Sequence, residues 1–240
     1  MHRSFPIPAV MTAYPLPALY VTGTDTGIGK TFSSCVLLHA LRQRGGTAVG
    51  MKPVASGCER TVHGWRNEDA TALLAASQPV PAYADLNPYA LPLPLAPELA
   101  AADAGVQLAL GPIEAAFGRL RAQADTVVVE GVGGWLAPLS ATLDQADLVH
   151  ALRLPVVMVV GLRLGCLNHA RLTTQAIAAS GATCIGWIAN EVDPQMQCID
   201  DNVALLKARL RLPFWGRLPH APGADPARLA EALTLPMQEF

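Results

Sequence analysis

Short apolar segments rich in β-branched residues alternate along the chain with longer segments that mix apolar and polar residues and often end at glycine. The first pattern is typical of buried strands and the second of helices. Strands are predicted at residues 18–22, 47–51, 126–130, 155–160, 184–189 and 215–218. Helices are predicted at residues 31–44, from about 67, and at 112–123, 168–179 and 199–210. Residues 55–66 and the proline-rich segment 79–97 are predicted to be irregular loops.

This order of elements favours an α/β fold, with a mostly parallel sheet flanked by helices on both faces. In such sheets, ligands bind beyond the carboxyl ends of the strands. Three polar residues fall at predicted strand ends, namely Lys52, Glu130 and Asn190. The sequence therefore predicts a ligand site at this edge of the sheet.

The strongest local signal is the segment Gly23-Thr-Asp-Thr-Gly-Ile-Gly-Lys-Thr31, which joins the first predicted strand to the first predicted helix. A glycine-rich loop in this position directs backbone N–H groups at phosphate oxygens, and the helix N-terminus adds its positive end. Lys30 is expected to reach the β- and γ-phosphates, and the Thr31 hydroxyl to hold Mg²⁺. Five residues, rather than the usual four, separate Gly23 from Gly29. The pattern indicates the phosphate-binding loop of a P-loop NTPase-like fold.

Three further charged residues could complete a phosphate and metal site. Lys52 follows the second predicted strand, so it is expected to point toward the phosphates, although most lysines are solvated surface charges. Glu130 ends an apolar strand, where P-loop proteins place a metal carboxylate. Asp69 begins a predicted helix, and an acidic residue there can equally serve as a cap or as a partner of the helix dipole.

The composition excludes several classes of protein. The net charge of −2 provides no basic excess for neutralising nucleic-acid phosphates, so a nucleic-acid partner is not expected. Hydrophobic residues make up 51 % of the chain and charged residues 15 %, which is incompatible with intrinsic disorder. The five cysteines include no CxxC pair, which suggests neither a disulfide framework nor a zinc site and favours a reducing, cytoplasmic location.

The N-terminal segment carries no charge between Ser4 and Thr24. The four prolines at positions 6, 8, 15 and 17 disfavour a membrane helix or a signal peptide, and no membrane span is predicted. Residues 1–17 are interpreted as a proline-rich lead-in without regular structure, and residues 18–240 as a single domain.

Eight motifs, in the same order along the chain, resemble those of the dethiobiotin synthetase family. They are Val21-Thr-Gly-Thr-Asp-Thr, Gly29-Lys-Thr, Lys52-Pro-Val-Ala-Ser-Gly, Arg66-Asn-Glu-Asp, Asn87-Pro-Tyr, Val129-Glu-Gly-Val-Gly-Gly-Trp, Leu164-Gly-Cys-Leu-Asn-His and Gly186-Trp-Ile-Ala-Asn. The resemblance covers about residues 18–221, and a generic P-loop protein would share only the first of these motifs.

The resemblance implies an ATP-dependent ring closure in biotin biosynthesis. The substrates would be 7,8-diaminopelargonate (7,8-diaminononanoate), CO₂ and MgATP, and the products dethiobiotin, ADP and phosphate. One amine captures CO₂ as a carbamate, ATP phosphorylates the carbamate, and the neighbouring amine attacks the mixed anhydride to close the cyclic urea. The resemblance also implies a homodimer in which the partner supplies part of the substrate site.

The family pattern assigns roles to particular residues. Lys52, Lys30 and Thr26 would act in catalysis, and Thr31, Asp69 and Glu130 would hold the metal. The nucleotide would contact Gly27, Ile28, Gly29, Lys30, Thr31, Phe32, Asp69, Glu130, Gly131, Val132, Gly133, Asn190, Pro219, His220 and Ala221. The substrate would contact Ser56, Gly133 and Asn168.

Two positions depart from the family pattern. Gly27 stands where many members carry an acidic residue, which bears on nucleotide selectivity. Asn202 stands near the place of a tyrosine that contacts the substrate carboxylate in some members.

Two other classes of nucleotide-binding protein fit this sequence less well. Nucleotide-switched regulators of chromosome partitioning or septum placement carry a signature lysine where this chain has Asp25. Synthetases that amidate corrin carboxylates carry an additional glutamine-hydrolysing domain, for which 240 residues leave no room.

Overall fold

The computed structural model describes residues 16–236. Its strands are β1 (Ala18–Gly23), β2 (Ala48–Met51), β3 (Val54–Ser56), β4 (Glu59–Thr61), β5 (Gly64–Arg66), β6 (Tyr89–Leu91), β7 (Thr126–Glu130), β8 (Val156–Leu162), β9 (Cys184–Glu191) and β10 (Phe214–Leu218). Its helices are α1 (Lys30–Gln43), α2 (Glu68–Ala76), α3 (Tyr83–Leu86), α4 (Pro97–Asp103), α5 (Leu110–Arg121), α6 (Gln145–Leu152), α7 (Cys166–Ala179) and α8 (Ile199–Leu210). A 3₁₀-helix follows at Pro226–Ala232.

Six of these strands form one parallel sheet in the order β10-β9-β8-β1-β7-β2. Because β1 lies between β7 and β8, the loop that follows it opens at the middle of the carboxyl edge. The predicted α/β, P-loop NTPase-like fold class is confirmed.

Helices cover both faces of the sheet, and the side chains of β1 point alternately to one face and the other. Tyr20 packs with α5 and α6 on one face, in the same cluster as Ile113 and Leu148. Leu19 points to the opposite face and packs in the cluster that includes Val36 of α1. A third cluster lies between β8, β9, α7 and α8. Burial of the strands on both faces explains their continuous apolar sequences.

The segment between β2 and α5 is more regular than the sequence predicts. Residues 55–66, predicted as a loop, contain the antiparallel pair β4–β5, and residues 79–97 contain α3 and β6. Helices α4 and α6 were also not predicted. These elements are short, and β3 finds its parallel partner β6 more than thirty residues away. Three-residue strands are too short to produce a recognisable alternation, so local patterns miss them.

Residues 1–15 of the predicted N-terminal lead-in lie outside the described part of the chain. The carbonyl groups of its last two residues are hydrogen-bonded. The Leu16 oxygen accepts from the Thr126 hydroxyl at 3.0 Å, and the Pro17 oxygen accepts from the Val127 N–H at 3.1 Å. Across residues 16–236, the structure has no helix with the length and apolar character needed to cross a membrane.

Candidate active site

The loop after β1 has the backbone conformation of a phosphate cradle. Gly27 and Gly29 have φ values of 70° and 79°, in the left-handed region that favours glycine. A Cβ at Gly29 would overlap the side-chain amide of Asn190, which donates to the Ile28 carbonyl at 2.9 Å. Gly29 is the N-cap of α1 and provides no side-chain cap, so the N–H groups of the first turn are available to an anion.

Lys30 begins α1 and is buried. Its Nζ atom donates to the backbone carbonyl of Asp25 at 2.9 Å. Among residues 16–236, Lys30 forms no ion pair, whereas the Asp25 carboxylate pairs with Arg163. Burial, together with the nearby charge of Lys52, lowers the pKa of Lys30 to about 8. The loop therefore presents a lysine that lacks a carboxylate partner within the described chain.

Lys52 lies just beyond β2, and its side chain is inserted between two carboxylates. Its Nζ atom is 2.6 Å from Glu130 Oε1 and 3.0 Å from Asp69 Oδ2, and it also donates to the Gly131 carbonyl at 3.2 Å. Burial by itself would lower the pKa of Lys52, but the charges and hydrogen bonds of Glu130 and Asp69 raise it above its ordinary value. Burial likewise opposes ionisation of Asp69, yet the Lys52 charge holds its pKa below the usual range. We call these three residues the lysine–carboxylate cluster.

The donor set beside this cluster fits a hard cation. The Thr31 hydroxyl donates to Glu130 Oε1 at 2.8 Å. The other oxygen of Glu130, Oε2, is buried without a hydrogen-bond partner in the described chain, while the Asp69 side chain is 44 % exposed. Hydroxyl and carboxylate oxygens with access to water are the ligands that Mg²⁺ prefers.

The loop after β7 lies against the phosphate loop. A Cβ on Gly133, whose φ is 60°, would lie 3.4 Å from the Thr26 hydroxyl oxygen. The Val132 N–H donates to Gln145 Oε1 at 3.2 Å. The structure thus brings Gly133 next to Thr26, while Val132 is held by Gln145.

The remaining predicted residues are more dispersed. Ser56 ends β3 and is half-buried, and Phe32 lies in the first turn of α1. Pro219, His220 and Ala221 follow β10, the neighbour of the strand that carries Asn190.

Asn168 is exposed in the first turn of α7, and no hydrogen bond of the described residues connects it to the lysine–carboxylate cluster. Asn202, one of the two departures, lies in α8 and donates to the Cys198 carbonyl at 2.9 Å.

Sequence reasoning missed Gln145, the first residue of α6. Its fully buried side chain accepts from the Tyr20 hydroxyl at 2.5 Å, and its Nε2 atom donates to the carbonyls of Gly134 and Ala137. Gln145 therefore holds the loop that follows Glu130. A glutamine at the start of a helix has no local signal that separates it from an ordinary surface residue.

These features define a P-loop nucleotide-binding protein. A glycine-rich loop, the buried Lys30 and the acidic Glu130 lie together at the carboxyl edge of a parallel sheet. Solved structures with this fold include a MinC:MinD cell division protein complex from Aquifex aeolicus, with 12 % identity, TM-score 0.52, and coverage of 90 % of this chain and 86 % of that one. Cell division protein FtsY from Thermotoga maritima is 15 % identical, with TM-score 0.51 and coverage of 92 % and 69 %.

Sequence comparison is more specific. A family model described as an AAA domain matches residues 17–228. The ATP-dependent dethiobiotin synthetase BioD of Xanthomonas oryzae pv. oryzae is 73 % identical over 220 residues, which cover 92 % of this chain and 98 % of the relative. The protein of the same name from Xylella fastidiosa is 68 % identical over 219 residues, covering 91 % and 97 %. The chain belongs to the ATP-dependent dethiobiotin synthetase family.

Proposed function

We propose that this chain catalyses the reaction of its family, the ATP-dependent carboxylation and ring closure of 7,8-diaminopelargonate to dethiobiotin in biotin biosynthesis. The observation that carries the proposal is the lysine–carboxylate cluster beside the phosphate loop, in a chain 73 % identical to a dethiobiotin synthetase over nearly the full length of that relative. The reaction classifies the protein as a C–N bond-forming ligase, EC 6.3.3.3.

The chemistry has three steps that balance. One amine of the substrate adds to CO₂ and loses a proton, which gives a carbamate. A carbamate oxygen then attacks the γ-phosphorus of ATP and ADP leaves, which gives a carbamic–phosphoric mixed anhydride. The neighbouring amine attacks the carbonyl carbon and loses a proton, and phosphate leaves as the cyclic urea closes.

Lys30 and the phosphate loop hold the nucleotide in this proposal. The N–H groups of residues 27–32 point at phosphate oxygens, and the Lys30 ammonium leaves the Asp25 carbonyl to bind the β- and γ-phosphates. A phosphate is the anionic partner that Lys30 lacks within the described chain. This supports a phosphate-binding role for the residue.

Lys52 acts at the reacting end. Its ammonium is fully charged near neutral pH because Glu130 and Asp69 raise its pKa. A fixed positive charge at this place stabilises the negative charge that develops between the γ-phosphate and the carbamate. Thr26, Ser56 and Gly133 line the same end and position the carbamate.

Thr31, Asp69 and Glu130 would hold Mg²⁺. The unpartnered Oε2 atom of Glu130 supports this assignment, since a buried carboxylate oxygen otherwise lacks compensation. A bound Mg²⁺ would neutralise charge on the β- and γ-phosphates.

Recognition of the base is assigned to Asn190, with Pro219, His220 and Ala221 beside the adenine or the ribose. The amide of Asn190 already reaches the phosphate loop through Ile28. This side of the site is reached from β9 and β10, opposite the Lys52 side across β1.

A homodimer completes the substrate site in this proposal. No described hydrogen bond connects Asn168 to the cluster of its own chain, and exposed leucines lie four positions before it and four positions after it. Leu164 is 94 % exposed and Leu172 56 % exposed. A face of this kind is typical of a protein–protein contact. It would bring Asn168 to the substrate carboxylate in the partner. One catalytic domain over residues 18–240 and a cytoplasmic location complete the proposal.

The direct test is product formation. The purified protein is incubated with 7,8-diaminopelargonate, ¹³C-bicarbonate and MgATP, and dethiobiotin is followed by mass spectrometry together with ADP. One labelled carbon per dethiobiotin and one ADP per product are expected, with loss of product when any substrate is omitted. An absence of product while ADP still binds, or a requirement for glutamine, contradicts the proposed function.

A further inference from the structure

We propose that Tyr83 and Asn87 are positioning residues that set the distance between Lys52 and the start of α2, where Asp69 lies. The inference rests on the proposed function, because it assigns how the chain holds Lys52 for that reaction. Neither side chain touches the charged groups of the lysine–carboxylate cluster. Both act through main-chain groups of the segments that carry it.

The main chain of Lys52 is held by the end of α3. Lys52 lies one residue beyond β2 and precedes Pro53, so the sheet ladder does not extend to it. Its N–H donates to the Leu86 carbonyl at 2.7 Å. Its carbonyl accepts from Asn87 Nδ2, also at 2.7 Å. Asn87 is 3 % exposed, and the same Nδ2 atom reaches the Tyr89 carbonyl at 3.2 Å.

The Tyr83 hydroxyl connects Asn87 to α2. It donates to Asn87 Oδ1 at 3.3 Å and accepts from the Asn67 N–H at 2.9 Å. Asn67 is the N-cap of α2, since its Oδ1 atom accepts from the Ala70 N–H at 3.2 Å. The Nδ2 atom of Asn67 donates to the Ser56 carbonyl at 3.1 Å. One phenol hydroxyl thus joins the segments that carry Lys52, Ser56 and Asp69.

The hydrogen bonds and the Lys52–Asp69 ion pair form a closed chain of contacts that begins and ends at Lys52. From the Lys52 main chain they pass through Asn87, Tyr83 and Asn67 into α2, and they return through Asp69 Oδ2 to the Lys52 ammonium at 3.0 Å. Displacing one member therefore moves Lys52 relative to its carboxylate. A misplacement of about 1 Å in a reacting group can cost about a hundredfold in rate.

The tyrosine itself is held in place and kept neutral. The Arg66 guanidinium lies 3.9 Å from the centre of the Tyr83 ring. Burial raises the pKa of the Tyr83 hydroxyl, and so the group remains a hydrogen-bond donor at neutral pH. The geometry therefore supports a fixed connection between the two segments.

The test compares Tyr83→Phe with Tyr89→Phe. Tyr89 offers a matched control because its hydroxyl also makes two hydrogen bonds, to the carbonyl and the N–H of Ala109 at 3.3 and 3.2 Å, which lead away from Lys52. We expect Tyr83→Phe to lower kcat for dethiobiotin formation at least fivefold, with the Kd of ADP within twofold of the parent. Tyr89→Phe is expected to keep both values within twofold.

A double-mutant cycle separates positioning from general destabilisation. Asn87→Ala is expected to lower kcat at least tenfold at a temperature well below its Tm, and adding Tyr83→Phe to it is expected to lower kcat less than twofold further. The inference would be overturned if the double variant lost kcat by the product of the two single losses, since the residues would then act independently. It would also be overturned if Tyr83→Phe had the same kcat as Tyr89→Phe. Should Asn87→Ala not fold, the tyrosine pair alone decides. A parent protein that makes no dethiobiotin contradicts the proposed function instead, so the two failures are distinguishable.

Discussion

The phosphate loop and the lysine–carboxylate cluster lie side by side at the edge of the sheet but are built differently. The loop is contiguous in sequence, and the groups that we propose to bind phosphate are mainly backbone N–H groups shaped by Gly27 and Gly29. The cluster draws Lys52, Asp69 and Glu130 from three separate elements, and these residues contact one another through their side chains. The first region is therefore defined by local backbone conformation, and the second by how distant segments are packed.

The two lysines show the consequence for charge. Lys30 is buried beside a carbonyl and has a pKa of about 8, whereas Lys52 is buried between carboxylates and has a pKa above its ordinary value. Burial opposes the charge of both, and only Lys52 has partners that reverse the effect. Lys30 is therefore expected to become fully charged when an anion binds, whereas Lys52 is charged before any ligand binds.

The largest effect is expected from removing the cluster lysine. Lys52→Ala should lower turnover at least about a hundredfold, because the developing negative charge loses its preorganised cation. It should also lower the free energy of unfolding by about 3 kcal/mol, since Glu130 is left buried without its partner. Dethiobiotin formation and urea denaturation measure the two effects.

Lys207 provides the matched control for that experiment. It is the remaining lysine of the chain and lies exposed on α8. Lys207→Ala should retain turnover within twofold. Near-normal turnover of folded Lys52→Ala would show that the cluster is a structural ion-pair network rather than a catalytic one.

The second prediction concerns the backbone of the phosphate loop. Gly29→Ala should weaken ADP binding at least about tenfold, because a Cβ meets the Asn190 amide at a φ that already costs about 1 kcal/mol for an L side chain. Gly27→Ala carries the same φ penalty but meets no atom within 4 Å. Calorimetric titration with ADP should rank the parent first, Gly27→Ala second and Gly29→Ala last.

An equal loss in the two glycine variants would contradict this account. It would mean that backbone strain alone, and not the close approach of Asn190, determines the shape of the loop. The unfolding free energy of each variant, measured alongside, shows how much of the loss comes from the fold.

The same contrast explains how far the sequence could predict the site. The phosphate loop was recognisable because its strand, glycines and helix are adjacent in the chain. Strand-end position pointed to Lys52 and Glu130, but the metal role of Asp69 and the catalytic role of Lys52 also needed the family resemblance, since nothing local brings residues separated by up to 78 positions together. Gln145 and Tyr83 were missed because their contacts depend on tertiary packing, as do β3 and β6, which pair across a long loop.

The third prediction uses pH to distinguish the two lysines. Above pH 8, ligand-free Lys30 is mostly neutral and must take up a proton before it pairs with phosphate. ADP affinity should therefore fall as pH rises, by up to about tenfold between pH 7 and 9, and binding near pH 8 should take up protons. Lys52 adds nothing to this change because its pKa is raised. Calorimetry in two buffers of different ionisation enthalpy measures the proton uptake.

Lys30→Arg is the control for the pH experiment. A guanidinium stays charged throughout this range, so the variant should bind ADP without proton uptake near pH 8. Proton uptake that persists in Lys30→Arg would assign the titration to another group.

The smallest effect is expected from removing the charge of Asp25, because its carboxylate makes no contact with Lys30 in the phosphate loop. The Asp25 carboxylate pairs with Arg163, but Lys30 contacts only the Asp25 carbonyl. Asp25→Asn retains an oxygen for the Thr26 N–H, which donates to Oδ1 at 2.7 Å. Because the ion pair is about half exposed, its loss should cost no more than about 1 kcal/mol of unfolding free energy. ADP affinity should change less than threefold, whereas a large loss would mean that a side chain, and not only the backbone, shapes the phosphate-binding end of the site.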